Sequence, residues 1–183
     1  MKNKILLLLL LLSTANAEQM DLQSIVRFEG TSTLHDFTGF ATSKVERVEW
    51  TPIEKGGTLS ADEIEFTTEE LTTHHVKRDR NMMKMFEPTL YPQITGQVSD
   101  WDLNNDGEKA ATLKLKIQET ELEIPVTVGP LVTDESGTHF KCTFLVSLKA
   151  FGLKRPSALG IIRVGDEVKV SVESTFHKPE AQL

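Results

Sequence analysis

The sequence predicts an all-β domain of about eight antiparallel strands with one short helix. Three observations carry this: apolar side chains recur at every second position through several segments, turn-forming residues fall between those segments, and one segment breaks the period with helical spacing. The alternation is clearest from Thr138 to Leu148, where Phe140, Cys142, Phe144, Val146 and Leu148 alternate with mostly polar neighbours. Successive side chains of a strand point to opposite faces, so this segment has one dry face and one largely wet face.

The same rhythm runs through Leu113, Leu115 and Ile117, then Leu122, Ile124, Val126 and Val128, and again Val168, Val170 and Val172. Ser24 to Gly30, Asp36 to Trp50, Leu59 to Thr67 and Ile94 to Trp101 read as four further strands. Turn signals stand at Gly56-Gly57, Asn104-Asn105-Asp106-Gly107, Gly129-Pro130, Glu135-Ser136-Gly137 and Gly165-Asp166, residue types that accept tight or positive-φ backbone. Met82, Met85 and Phe86 lie at helical spacing within Asp79 to Glu87, and Pro88 stops the run, which predicts the single helix. The tail after His177 is expected to fray.

The chain opens with Lys2 and Lys4, the apolar run Ile5 to Leu12, and Ala15-Asn16-Ala17. That is the layout of an export leader (residues 1–17) cleaved after Ala17, because the apolar run is about half the ~20 residues a membrane-spanning helix needs. Residues 18–183 then form one domain in the periplasm or outside the cell, with no stable membrane span. Loss of Lys2 and Lys4 takes the formal charge from −7 to −9, so nucleic acid is a poor partner. Cys142 is the only cysteine and no intrachain disulfide can form; its place between Phe140 and Phe144 predicts a buried, inert thiol.

The candidate chemical sites fail on spacing. Ser32, His35 and Asp36 are triad residue types, but an extended chain sends Ser32 and His35 to opposite faces, and Leu34 stands where a nucleophile elbow has its second glycine. Asp102, Asn104, Asp106 and Gly107 begin a calcium-loop pattern whose twelfth position is Leu113 in place of a bidentate glutamate, so a hairpin turn is expected. His74-His75 is followed by Lys77, Arg78 and Arg80, a positive cluster that opposes a metal cation. No catalytic residue, metal site or cofactor is expected.

About eight strands with one dry face each can close into a barrel or stack as a sandwich, and periodicity does not separate the two. Three stretches resemble the YceI-like family: Gly30-Thr31-Ser32-Thr33-Leu34-His35-Asp36-Phe37-Thr38-Gly39, then Met85-Phe86-Glu87-Pro88-Thr89-Leu90-Tyr91-Pro92-Gln93-Ile94, then Ala150-Phe151-Gly152-Leu153 through Val164-Gly165-Asp166-Glu167-Val168. They occur in the family's order across nearly all of residues 18–183. Gly96 stands where the family usually carries a bulky apolar residue. The resemblance implies a lipocalin-like antiparallel β-barrel and, as a ligand, a polyisoprenoid or other long-chain lipid.

In such a barrel Leu115, Ile117, Ile124, Val126, Phe140, Phe144 and Val146 would face inward, either filling the core or lining a cavity. Met82, Met85 and Phe86 would form a lid at the mouth or simply pack over one end, and Arg78 and Arg80 would stand where a head group could be met. The expected role is a non-enzymatic lipid-binding protein. A filled barrel serving as an envelope scaffold is the other reading, and the sequence leaves homodimerisation open.

Overall fold

The computed structural model describes residues 16–135, 137–158 and 162–177. Residues 1–15, which hold most of the expected leader, and the tail after His177 lie outside them. The elements are β1 (Glu18–Ser32), β2 (Phe37–Thr42), β3 (Glu46–Ile53), β4 (Gly56–Thr67), a 3-10 turn (Thr68–Glu70) and α1 (Val76–Phe86). They continue with β5 (Gln93–Asn104), β6 (Lys109–Ile117), β7 (Thr120–Val128), β8 (Val132–Asp134), β9 (Gly137–Ser147), β10 (Ser157–Ala158) and β11 (Ile162–His177).

Eight strands close on themselves in the order β11-β1-β3-β4-β5-β6-β7-β9, and β9 pairs back onto β11, all antiparallel. This is the expected barrel and not the sandwich. Closure removes exposed edges and leaves one shared interior, which receives every second side chain from each strand. Phe140, Val146, Val168, Val170 and Leu22 are all buried there, while Leu145, one position out of phase, is 56% exposed.

The segment Asp36 to Trp50 is not one strand, as its composition suggested, but two. β2 pairs with the upper half of β1 (Phe37 opposite Gly30), and β3 pairs with the lower half (Glu46 opposite Leu22). Between them Ser43 turns inward, its hydroxyl accepting the Ser24 N–H at 2.8 Å and its N–H donating to the Ser24 carbonyl at 2.7 Å. β3 goes on to pair with β4, whereas β2 is bridged at Phe40 to Thr72. The wall is thus split at its upper end, and the chain from Thr68 to His75 fills the split before entering α1.

A second correction concerns Gly165-Asp166, which lies inside β11 and not in a turn. A Cβ on Gly165 would collide with the Thr31 hydroxyl, next to the irregularity between Gly30 and Ser32. Glycine is there because two backbones come close, not because the chain reverses. The first turn signal is also displaced: Glu54 and Lys55 make the turn, and Gly56-Gly57 begins β4.

Candidate functional site: the barrel cavity

The interior is not filled. A cavity of about 440 Å³ runs inside the barrel, within the range usual for small-molecule sites. Its deep end is formed by Leu22, Leu59, Trp101, Phe140 and Cys142, and its upper end by α1 through Met82, Met85 and Phe86. Val26, Phe37, Ile64, Phe66, Ile94, Phe144 and Val172 all line it and are only partly buried.

Among the residues expected to line an interior, Leu115, Ile117, Phe140, Phe144 and Val146 do so. Ile124 and Val126 are buried, 8% and 3% exposed, but belong to the part of the core that side chains fill; they stand opposite Leu113 and Ala111 and do not reach the cavity. Met82, Met85 and Phe86 reach it from the helix, Arg78 lies at its mouth, and Arg80 is exposed on the outer side of α1 and does not line it.

Each of the three resembling stretches has a physical task around this cavity. In the first, two aromatic rings cover two glycines across the β1–β2 pair: Phe28 lies opposite Gly39, and Phe37 opposite Gly30. A Cβ on Gly30 would stand 2.5 Å from the Phe37 ring, and one on Gly39 would collide with Phe28. Glycine lets each ring lie flat on the sheet while still facing the cavity, the pairing known as aromatic rescue. Ser32 then closes a tight turn, donating to the His35 carbonyl at 2.8 Å and accepting the His35 N–H at 3.3 Å. Its hydroxyl is occupied by its own turn.

The second stretch ties the helix down. Glu87 takes the left-handed conformation (φ 50°) as the cap of α1, and Gln118, from the β6–β7 hairpin, donates to the Met85 and Phe86 carbonyls at 3.1 and 3.2 Å. These are orphan carbonyls of a helix end, satisfied from the barrel wall. At the other end Asp79 accepts the Thr73 N–H at 2.8 Å and the Thr72 hydroxyl at 3.0 Å, which fixes the first turn of α1 to the segment filling the split wall. Burial works against the charge of Asp79, but the Thr73 and Thr72 hydrogen bonds and the nearby Arg78 outweigh it and lower its pKa.

In the third stretch Asp166 accepts the Ser147 hydroxyl and the Lys149 N–H, both at 2.8 Å. The loop so held brings Leu148 to the cavity and packs Phe151 (1% exposed) beside it. The former calcium-loop candidate is the β5–β6 turn: Asn104 accepts the Asp106 N–H at 2.9 Å, Gly107 has φ 111°, and Asp102 is ion-paired to Lys109.

The polar groups at the deep end of the cavity are few and satisfy one another. Ser24 and Ser174 share a 2.7 Å hydrogen bond at the deep end. Cys142 faces the cavity, and burial pushes its thiol up to about 12. At pH 8 its thiolate fraction is then about one in ten thousand, so we expect iodoacetamide to label the native protein far more slowly than the denatured chain. Rapid native labelling, read by intact mass, would contradict this burial.

Sequence reasoning missed the lining residues of β4 and β5. Apolar positions shift phase between Ala61 and Ile64 in β4 and between Val98 and Trp101 in β5, where paired irregularities interrupt the register and Asp100 takes φ 53°. The helical end also carries His35, His75, Lys77 and Asn81, none adjacent in sequence to the strand residues they meet around the cavity.

A family model described as the YceI-like domain matches residues 17–176. The fold is similar to that of BcnA from Burkholderia cenocepacia (TM-score 0.64, 16% identity, 82% of this chain and 94% of that one). It is also similar to a polyisoprenoid binding domain from Saccharophagus degradans implicated in plant cell wall breakdown (0.57, 15%, 90% and 100%). A YCEI protein of Campylobacter jejuni gives 0.51 at 13% identity over 97% and 91%. No curated protein matches the chain. With the family's model matched over most of its length and the eight-stranded barrel closed around one apolar cavity, the chain belongs to the YceI-like family.

Proposed function

We propose that this protein is exported and holds one long apolar molecule, a polyisoprenoid or a similar long-chain lipid, inside the barrel. The observation that carries the reading is the cavity of about 440 Å³, lined almost wholly by apolar side chains and covered at one end by a tethered helix. Burying about ten methylenes at ~0.8 kcal/mol each supplies about 8 kcal/mol, on the order of micromolar affinity before ordering costs. Such binding needs no charged clamp at the chain and selects length. The lysine-flanked leader supports a periplasmic or secreted location, and β1 starts at Glu18, directly after the expected cleavage position.

Binding is the proposed role, without catalysis. Ser32 is committed to its turn, and among the described residues no three His, Cys, Asp or Glu side chains are grouped to hold a metal. Displacement of a fluorescent fatty probe from delipidated protein by prenols of increasing length tests the reading. Affinity is expected to rise with chain length until the cavity is full and then to level. Failure to bind any probe would leave a scaffold in place of a carrier.

A further inference from the structure

The outer face of α1 is cationic in an acidic molecule. Met82 and Phe86 bury one side of the helix, and Lys77, Arg80 and Lys84, three and four positions apart, share the opposite, exposed side. No carboxylate of the helix joins them there, because Asp79 is turned to Thr72 and Thr73; Arg78 lies against the Phe37 ring, 5.1 Å from its centroid. Lys77 and Arg78 stand in the first turn, where the helix dipole disfavours cations, so folding alone does not account for them. None of the three outer cations is in a salt bridge among the described residues, whereas Arg27, Lys44, Arg47, Lys109, Lys114 and Lys141 all are.

The charge is polarised along the barrel. At the helical end the loop after β9 adds exposed Lys149, Lys154 and Arg155, offset in part by Asp36, Glu69, Glu70, Glu87 and Glu119. At the deep end the turns carry Glu54, Asp106, Glu108 and Glu135 against Lys55. The three most exposed large apolar side chains among the described residues also stand at the helical end: Val76 (74%), Leu90 (69%) and Leu34 (61%). Val76 opens α1, Leu90 follows its cap, and Leu34 lies in the turn after β1, beside the cavity mouth. A polyanion in solution would satisfy the cations and leave these side chains in water. A lipid surface meets both, since head groups take the cations and the acyl boundary takes the apolar prongs.

We propose that the helical end of the barrel docks on an anionic lipid bilayer, with Lys77, Arg80 and Lys84 against its phosphates and Leu34, Val76 and Leu90 dipping between them. The cavity mouth then opens onto the membrane, the phase in which a long-chain molecule dissolves. That consequence rests on the cavity holding such a molecule; the docking itself does not.

The test mixes delipidated protein with vesicles of phosphatidylcholine alone, or of phosphatidylcholine and phosphatidylglycerol in equal parts, and reads the bound fraction by co-flotation. Binding is expected on the mixed vesicles only, and is expected to fall as salt is added. Arg80→Gln with Lys84→Gln should weaken it about thirtyfold and Val76→Ser with Leu90→Ser about tenfold, whereas Lys55→Gln at the deep end changes nothing. None of these five side chains lines the cavity, so affinity for a fatty probe in free solution and the Tm should keep their native values in every variant. Equal binding to both kinds of vesicle, binding to neither, or full binding by the Arg80 and Lys84 variant overturns the docking surface. A charge effect with no effect of the apolar pair, or binding to soluble polyphosphate as tight as to the vesicles, overturns it in favour of a polyanion in solution. A protein that docks but takes up no probe would instead fault the cavity reading, so the two failures are told apart.

Discussion

Replacing Gly96 with phenylalanine lowers affinity for a long-chain ligand by about a hundredfold and leaves the barrel folded. Gly96 lies on β5 and lines the cavity, and a Cβ there meets only the Leu113 Cδ1 at 3.3 Å, the far end of a flexible side chain. Its backbone is extended, so a larger residue imposes no strain. The ring enters space the ligand would use, and losing contact to about four methylenes at ~0.8 kcal/mol each costs about 3 kcal/mol, or roughly two orders of magnitude in Kd. Because it fills a void, the substitution is also expected to raise the Tm of the ligand-free protein. Calorimetric titration and a melting curve on one preparation check both; unchanged affinity with a raised Tm would mean that the ligand lies elsewhere.

Asp79→Ala is expected to destabilise the fold by about 2 kcal/mol and to release the helix from the mouth. The substitution orphans the N–H of buried Thr73 and removes the acceptor of two hydroxyls. An unsatisfied donor of this kind costs about 1–3 kcal/mol, which for a domain of this size moves Tm by about 5 °C. Ligand dissociation should quicken at the same time, since Met82, Met85 and Phe86 cover the cavity from the helix that Asp79 ties down. A slower or unchanged off-rate would show that the helix is not a cover.

The pH dependence of this effect has a definite sign. Asp79 has its pKa lowered from the ordinary 3.8, so the folded protein binds fewer protons than the unfolded chain as pH falls through that range. The tether is at full strength above the ordinary value and is lost as pH drops through the lowered one. The stability gap between the native protein and Asp79→Ala should therefore be constant from about pH 8 to 5 and close below about pH 4. Denaturant midpoints measured across this range would show it.

Much of the barrel was legible because each strand has one wet face. In β6, β7 and β9 the polar partners are mostly lysine, glutamate and threonine, so the period of two stands clear, and the strands lie where it placed them. Where the register breaks, the pattern blurs. The inward turn at Ser43 hid the division of β2 from β3, and Gly165 mimicked a turn because a close backbone approach and a reversal both call for glycine. The cavity was only half legible for a related reason. Periodicity tells which side chains point inward, but whether they meet or leave a void depends on how eight strands close. Ile124 and Val126 have the same phase as Leu115 and Ile117 yet fill the core, while Trp101 lines the cavity only because an irregularity at Asp100 rephases β5. Arg78 was visible as a charge; its place above Phe37 was not.

Whether the barrel is a container is decided by native mass spectrometry of the protein purified without delipidation. The expected result is a population heavier than the apoprotein by one long-chain molecule, recovered by organic extraction and absent from Gly96→Phe. A folded protein that carries no such molecule, and takes none up when incubated with prenols or prenyl phosphates, would contradict it.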